Sequence, residues 1–598
     1  MSSIEKIKQL HSDGKIDKAL KLSSQLLKKN GNNYQLLHLH ATLHNQAGIV
    51  KTALKSYLNL HRMNQSEVSI ILSIGSCYSK TGEYQSSLNY FLKALNLKPN
   101  DPGIMMNIGV LYRLLDQIQV SKTYLEKAVH LAPKNAEIFH NLAITNELEE
   151  DYDTALINYR NAVNINNQHF RALGNMGVVY SKMNNLHKAE EAFLASLSIN
   201  PKYDLSLKNL GINYVHQKKL DEAKSLLFKA ISYHPNNGTF YNNIAQLSNL
   251  NIDELCKIKK NILDVLKTTD KKTFIEQIYF ALAKICLSLK EYDLSEENYL
   301  KANTIVNKIK PYNRSFVNKY FEYAKNLVSH LSSSYNSEHT GENFLFIIGM
   351  PRSGTTLLES LLSMHNQLIP GDELPFMNYI CFKELLVDDN YILPIPKKIT
   401  SNIAEFYISK TLNLVPEKGK LIDKLPHNFR WVPIIKSVFP KATILHISRD
   451  PIDNCWSLFK ENFNYHSHEY SYRLDLLGEY YAKYQELMSF YNANGNYNII
   501  DVKYEDVVSN PIGITKDIFN RIGVNPKDFK EGDRDSKYYS KTASSVQVQQ
   551  PIYKKSVQGW RKHSEFLKPL IFNLQKHQDI LGLPIYDEKS KPEYQILN

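Results

Sequence analysis

Between Phe344 and Leu362 the sequence reads FLFIIGMPRSGTTLLESLL. An apolar run, a glycine-rich turn and a second apolar run predict a strand, a tight loop and a helix. The turn, GMPRSGTT at 349–356, has the chemistry of an anion cradle. Gly349 and Gly354 permit close backbone approach. The amides from Arg352 to Thr356 would face a ligand at a helix N-terminus. Ser353, Thr355 and Thr356 add hydroxyl donors, and Arg352 adds a cation. The nucleoside triphosphatase loop GxxxxGK[ST] is nearly present, but Thr355 stands where its lysine would be. That lysine reaches the β- and γ-phosphates, and the residue after it holds magnesium. A loop without it suits a 5′ group with one phosphate and one further anionic unit.

A second anion motif follows about a hundred residues on. HISRDPIDNCWSLF sets Arg449 and Ser457 eight residues apart, where a strand gives way to a helix. A bidentate guanidinium and a hydroxyl beside a helix N-terminus suit a dianionic phosphate. The elements that must position these groups are also legible. Strand-like runs stand at 344–349 (FLFIIG), 442–448 (ATILHIS) and 497–504 (YNIIDVKY), each followed by a helical pattern. Strands alternating with helices imply a parallel sheet with crossover helices, and phosphates bind at the C-terminal strand ends of such sheets.

The first half of the chain is repetitive. Gly75, Gly109, Ala143, Gly177 and Gly211 recur at steps of 34 residues. Tyr78, Tyr112, Asn146, Tyr180 and Tyr214 follow three residues later, and Ser87, Ser121, Ala155, Ala189 and Ala223 twelve later. Pro99, Pro133, Asn167, Pro201 and Pro235 close each unit. Small residues let two helices approach, the tyrosine fills the groove between them, and the proline stops the second helix. The pattern resembles the tetratricopeptide repeat family, with degenerate copies at 4–32 and 33–66 and two looser ones within 237–305. The resemblance implies a right-handed superhelix whose concave face binds a peptide or protein. Asn107, Asn141, Asn175 and Asn209, also 34 apart, are candidates to clamp a peptide backbone there, with solvated polar positions as the alternative.

Composition narrows the class. The 598 residues are 43% apolar and 22% charged, with a net charge of +12. The excess charge points to an anionic ligand, but it is spread along amphipathic helical stretches, which argues against nucleic acid. Five cysteines lie far apart with no CxxC, so neither a disulfide framework nor a metal site is expected, and a reducing, cytoplasmic setting fits. The charged N-terminus lacks an apolar signal region, and no run is long enough to span a membrane. Abundant Asn, Lys, Ile and Tyr hint at an AT-rich, bacterial genome.

Over about 343–585 the chain resembles the sulfotransferases, above all the tyrosylprotein sulfotransferases and bacterial proteins that join tetratricopeptide repeats to such a domain. GMPRSGTTLLESLLSMHNQLIPGDELPF, DKLPHNF, SRDPIDNCWS, VKYEDVVSNP and TASSVQVQQPIYKKSVQGW carry the resemblance. It implies a multidomain chain: an all-α repeat superhelix (1–305), a connecting helix and linker (306–342), and an α/β P-loop-like parallel-sheet domain (343–598). It also implies a donor, 3′-phosphoadenosine 5′-phosphosulfate (PAPS), with no metal. The donor's 5′ phosphosulfate would lie on Arg352, Ser353, Gly354, Thr355 and Thr356, its 3′-phosphate on Arg449 and Ser457, with Tyr504 packed near the nucleotide. Glu373, 21 residues after Arg352, takes the place of the catalytic base, with Asp372 beside it as the competitor. Lys424 matches the lysine that neutralises the leaving oxygen, and Ser545 (or Ser544) the serine that assists it. His427 is an alternative base. The acceptor would be a hydroxyl, a protein or peptide tyrosine in the closest relatives; glycans and small hydroxylated metabolites stay open, as does a non-catalytic repeat scaffold. Two departures stand out. Glu461 occupies an arginine position and Gly559 a lysine position of the tyrosylprotein pattern. Lys554, Lys555 or Arg561 are candidates to make good the loss around the 3′-phosphate.

Overall fold

A computed structural model describes residues 3–29, 33–268, 273–331, 339–387, 390–463, 468–495, 497–529 and 557–576. The chain separates into two compact units, 1–213 and 214–598. No described helix is long and apolar enough to cross a membrane.

The first unit is a series of antiparallel helix pairs, from Ser3–Ser12 with Ile16–Lys29 onward. The repeated small residues behave as the spacing requires. A Cβ at Gly75 would lie 2.8 Å from the Phe91 ring, one at Gly109 2.7 Å from Leu125, and one at Gly177 2.5 Å from Phe193. Each hairpin thus presses one large apolar side chain of its second helix onto the bare backbone of its first. The Ser87 hydroxyl reinforces the contact by donating to the Gly75 carbonyl at 2.7 Å. The turn inside each hairpin has a positive φ at Gly14, Gly48, Gly82, Asp116, Glu150 and Asn184, again at steps of 34. Glycine takes this left-handed conformation without strain. Its presence at 14 and 48 identifies the degenerate N-terminal copies as the same unit.

The asparagine series differs from the peptide-clamp expectation. The side-chain amides of Asn107, Asn141 and Asn209 donate to carbonyls of their own helices, Gly103, Glu137 and Leu205, at 2.8–2.9 Å. Asn175 lies 3.1 Å from the His140 ring. Apart from Asn175, each half-buried amide group finds a local acceptor in the carbonyl four residues before it on its own helix.

In the second unit, helices α1 (Ile275–Ser288) and α2 (Tyr292–Ile309) form a last hairpin, followed by α3 (Arg314–His330). A five-stranded parallel sheet follows: β1 (Phe344–Gly349), β2 (Leu368–Pro370), β3 (Lys420–Asp423), β4 (Thr443–Ser448) and β5 (Ile499–Lys503), ordered β2-β3-β1-β4-β5. Strand β1 is central and wholly buried, as its unbroken apolar run requires. Leu345 and Ile347 face a core with α4 (Thr355–Leu362) and the helix Pro511–Ile522. Phe344, Phe346 and Ile348 face the opposite core, shared with Phe280, Ala283, Tyr299 and Ala302 of the hairpin and with Tyr320, Ala324 and Leu327 of α3. Repeat hairpin and sheet therefore share one apolar interior.

Candidate active site

Two loops meet at the C-terminal edge of the neighbouring strands β1 and β4. The first is the glycine-rich turn. Arg352 has φ +66° and Gly354 φ +105°. A Cβ on Gly349 would lie 2.4 Å from the Ile447 carbonyl, and one on Gly354 2.4 Å from the Tyr504 ring. Both glycines are required because the Ile447 carbonyl and the Tyr504 ring take the space that a side chain would need. Thr355 opens α4, so its amide has no intrahelical acceptor. Ser353 is 1% exposed, and its hydroxyl has no hydrogen-bond partner among the described residues. A buried hydroxyl left without a partner costs stability unless a ligand supplies one. The Ser353 amide closes a turn on the Met350 carbonyl at 3.2 Å, so the donors available to a ligand begin at Gly354.

Replacing Gly354 by alanine combines a strained φ with the clash on Tyr504. We expect a loss on the order of 1–3 kcal/mol in stability and a lower melting temperature in thermal unfolding. Adding Tyr504→Ala should restore only part of it, because the φ penalty stays; an unchanged melting temperature in the single variant would contradict this account.

The second loop leads into α5 (Pro451–Phe459). Asp450 caps this helix, accepting from the Ile452 and Asp453 amides at 3.0 and 2.9 Å, with Pro451 in the first turn. Asn454 ties the two loops together by donating to the Pro351 carbonyl at 3.0 Å. Arg449 donates to the Arg352 carbonyl at 3.1 Å, and its guanidinium lies 4.7 Å from the Tyr504 ring centroid. Arg352 does not lie along its own loop. Its Nε donates to Ser457 Oγ at 3.2 Å, and its Nη2 stands 3.3 Å from Glu461. The glutamate in the arginine's place therefore draws Arg352 across to Ser457. Arg352, Ser353, Gly354, Arg449, Ser457 and Tyr504 thus belong to one connected group, and Thr355 and Thr356 follow Gly354 directly.

The acid–base group lies beside it, after β2 and β3. Asp372 has φ +60°, and its amide donates to Glu359 Oε1 at 2.9 Å. The Lys424 amide donates to the Asp372 carbonyl at 3.0 Å, which sets the two loops side by side. The fully buried Lys424 ammonium sits 2.8 Å from Asp372, 3.3 Å from Glu373 and 3.9 Å from Glu359. Burial alone would depress the lysine's pKa, but Glu373, Glu359 and Asp372 together hold it above its usual value. Glu373 is the most exposed of the three carboxylates, with 42% of its side chain accessible. Burial pushes its pKa up, Lys424 pulls it back and Asp372 adds to the rise. Below Lys424, buried Asp423 accepts from Tyr407 at 2.8 Å, and burial raises its carboxyl to about 7.

His427, the alternative base, is 5% exposed and packs against Tyr470 and His468. Burial first, then Arg430 and His468, hold it neutral, as part of the wall. Ser544, Ser545, Lys554 and Lys555 lie outside the described residues. Arg561 is exposed, and its Nε donates to Gln558 at 3.1 Å. The segment from 557 is anchored instead by Asp453, which accepts from the Gln558 and Trp560 amides at 2.5 and 3.2 Å. Glu359 is a site residue absent from the sequence reading. Its signal was a lone carboxylate inside TTLLESLL.

One described trio has metal-ligand composition, Glu137, His140 and His169. The His169 Nδ1 accepts the Ala172 amide at 3.2 Å, which leaves the proton on the nitrogen facing Glu137. Arg171 also pairs with Glu137. The His140 Nδ1 and His169 Nε2 atoms that face Glu137 stand 3.9 and 3.6 Å from it, buried and without a hydrogen-bond partner among the described residues.

Comparison with known proteins agrees with both halves of the chain. A sulfotransferase family model matches residues 345–528. A tetratricopeptide repeat model matches 68–101, 102–135, 170–203 and 276–305, the last being the α1–α2 hairpin. An uncharacterized protein of Aquifex aeolicus (strain VF5) is 28% identical over 319 residues, 50% of this chain and 41% of the relative. The match therefore spans less than half of that relative's length. Among solved structures, YrrB, described as a TPR protein with an unusual peptide-binding site, is 22% identical over 31% of this chain and 95% of its own, with a TM-score of 0.25. A tetratricopeptide repeat protein from Parabacteroides merdae ATCC 43184 is 20% identical over 42% and 96%, with a TM-score of 0.31.

Proposed function

We propose, for a chain that joins tetratricopeptide repeats to a sulfotransferase-family domain, that it moves the sulfuryl group of PAPS to a hydroxyl acceptor. The observation that carries this reading is the buried Ser353 hydroxyl, unpartnered among the described residues, in a lysine-free anion loop that is hydrogen-bonded to Arg449 and Ser457 through Arg352. The donor supplies an activated sulfur whose bridging oxygen leaves with the nucleotide's 5′-phosphate. The chain's own groups do the rest by position and charge. Glu373 takes the acceptor's proton as the new oxygen–sulfur bond forms. Lys424 meets the negative charge on the departing oxygen. The amides from Gly354 onward and the Ser353 hydroxyl hold the transferring group in line. Arg449 and Ser457 hold the 3′-phosphate, and Tyr504 packs beside the nucleotide. No metal is required where a lysine and backbone dipoles neutralise the charge.

Calorimetry separates this reading from a P-loop kinase. Adenosine 3′,5′-bisphosphate (PAP), the product, should bind; ATP with magnesium should bind far more weakly. The reverse order would overturn the assignment. For the acceptor we propose a protein or peptide tyrosine recruited by the repeats, in a cytoplasmic, bacterial setting. Support comes from the repeat array; labelled donor incubated with host lysate identifies the product class directly.

A further inference from the structure

Within the repeat array, one group of side chains leaves buried nitrogens unsatisfied. Glu137 and His140 lie three residues apart on the helix Ala136–Leu148, so they share a face. His169 caps the helix Phe170–Lys182, which opens the next hairpin. One carboxylate oxygen and two ring nitrogens converge, all within 4.8 Å of one another. His140 Nδ1 stands 3.9 Å from Glu137 Oε2, and His169 Nε2 3.6 Å from Glu137 Oε1. Tetrahedral zinc, with ligands at about 2.0–2.2 Å, holds them roughly 3.4 Å apart. Only a small closing of the group is needed.

The histidine side chains are 8% and 3% exposed, and neither facing nitrogen has a hydrogen-bond partner among the described residues. Buried polar atoms ordinarily have one. Burial first, then His169, Arg171 and Arg113, hold the His140 ring down at about 3, and burial also lowers His169. Both rings are therefore neutral at neutral pH, the form that binds a metal. Glu137 is 44% exposed and opens the group to solvent on one side.

The surroundings supply what the ligands need. His140 Nε2 lies 3.1 Å from the side-chain amide of Asn175, which can turn its oxygen toward a ring proton. His169 Nδ1 now accepts the Ala172 amide, but that amide also donates to the His169 carbonyl at 3.1 Å. The ring hydrogen-bonds its own backbone as well, an interaction that raises its pKa. Moving the ring proton from Nε2 to Nδ1 thus frees Nε2 as a ligand and orphans no backbone amide. Arg171 pairs with Glu137 through Oε1, which leaves Oε2 for a metal. A hydrogen bond on the second oxygen is the ordinary support of a ligating carboxylate. The other nearby cation, Arg113, is committed to Asn141, donating to its carbonyl at 3.0 Å and to its Oδ1 at 3.3 Å.

We infer that Glu137, His140 and His169 bind one zinc ion, with the fourth position open to water on the Glu137 side. The ion clips two successive hairpins of the array together. Cysteines play no part in it, and it stands independently of the PAPS reading.

The test titrates zinc into full-length protein stripped of metal, in competition with a chromophoric chelator, and follows thermal unfolding of the same samples. Wild type should bind zinc, and its melting temperature should rise with zinc concentration. Glu137→Gln and His140→Gln each remove one ligand. His169→Asn removes another and keeps a helix-capping side chain. Each variant should weaken zinc by at least about tenfold, the least that loss of even an outer partner costs, and should lose the zinc-dependent rise. Circular dichroism without metal should match wild type. Cobalt in place of zinc should give wild type the intense visible absorption of a four-coordinate site, a readout that needs no variant. Zinc bound equally well by His140→Gln and His169→Asn would place the ion elsewhere and overturn the inference. So would a wild type that takes up no zinc, or one whose cobalt spectrum is the weak one of the six-coordinate ion in water.

Discussion

Glu373→Gln should lower sulfuryl transfer by about 10²–10⁴-fold, the usual contribution of a positioned base, with PAP affinity unchanged. Glutamine keeps the shape and cannot take a proton. The choice between neighbours comes from their surroundings. Asp372 is tied at 2.8 Å to Lys424, and its backbone is fixed at both amide and carbonyl. Glu373 is the more open of the two, and partial desolvation in the cleft raises its pKa while Lys424 pulls it back. The base acts deprotonated. The rate should therefore fall as pH drops through this raised value, with an ascending limb above the ~4.3 of a free glutamate. The residual activity of Glu373→Gln should lack that limb. Single-turnover transfer across pH checks both points. Full turnover in Glu373→Gln, or loss of PAP binding with it, would remove Glu373 as the base.

Lys424→Met should cost stability as well as activity. The ammonium is the common neighbour of three carboxylates, and Glu359 is wholly buried with it. Removing one partner of a buried ionic group typically costs about 3–5 kcal/mol. The sign with pH follows. Without the lysine the crowded carboxylates have folded-state pKa values above their unfolded ones, so the variant should regain stability as pH falls and they protonate. Lys424→Met with Glu359→Gln should recover much of the stability at neutral pH but none of the transfer. Denaturant unfolding and a transfer assay on the same samples separate the two effects. Recovery of transfer in the double variant would reduce Lys424 to a structural role.

The loop, its partner arginine and serine, and Tyr504 were legible because each sits at a strand-to-helix junction, where local pattern fixes both position and backbone shape. Gly354 has to be bare on both counts, φ and the Tyr504 ring. The 34-residue period was legible for a similar reason: Gly75, Gly109 and Gly177 each answer one large side chain in the same hairpin. What local pattern could not supply were partners distant in sequence. Glu359 gave no signal in its own helix, because its partners Asp372 and Lys424 arrive from two other loops. Glu461 reads as a lost arginine, whereas it redirects Arg352 toward Ser457. The asparagine series was a true periodicity with a misleading meaning, because an i−4 carbonyl is invisible in a polar-position count. Helix α3 reads as a connector, yet Tyr320 and Leu327 lie in the interior with the sheet.

In most arrays of this kind one hairpin can be duplicated, deleted or exchanged for another. The pair α1–α2 has given up that interchangeability, because Asn303 and Tyr299 hold on to α5 and Phe280 helps fill the sheet's interior. Lineages of this protein are free to lengthen or shorten the array upstream, but the terminal pair must be inherited together with the α/β half.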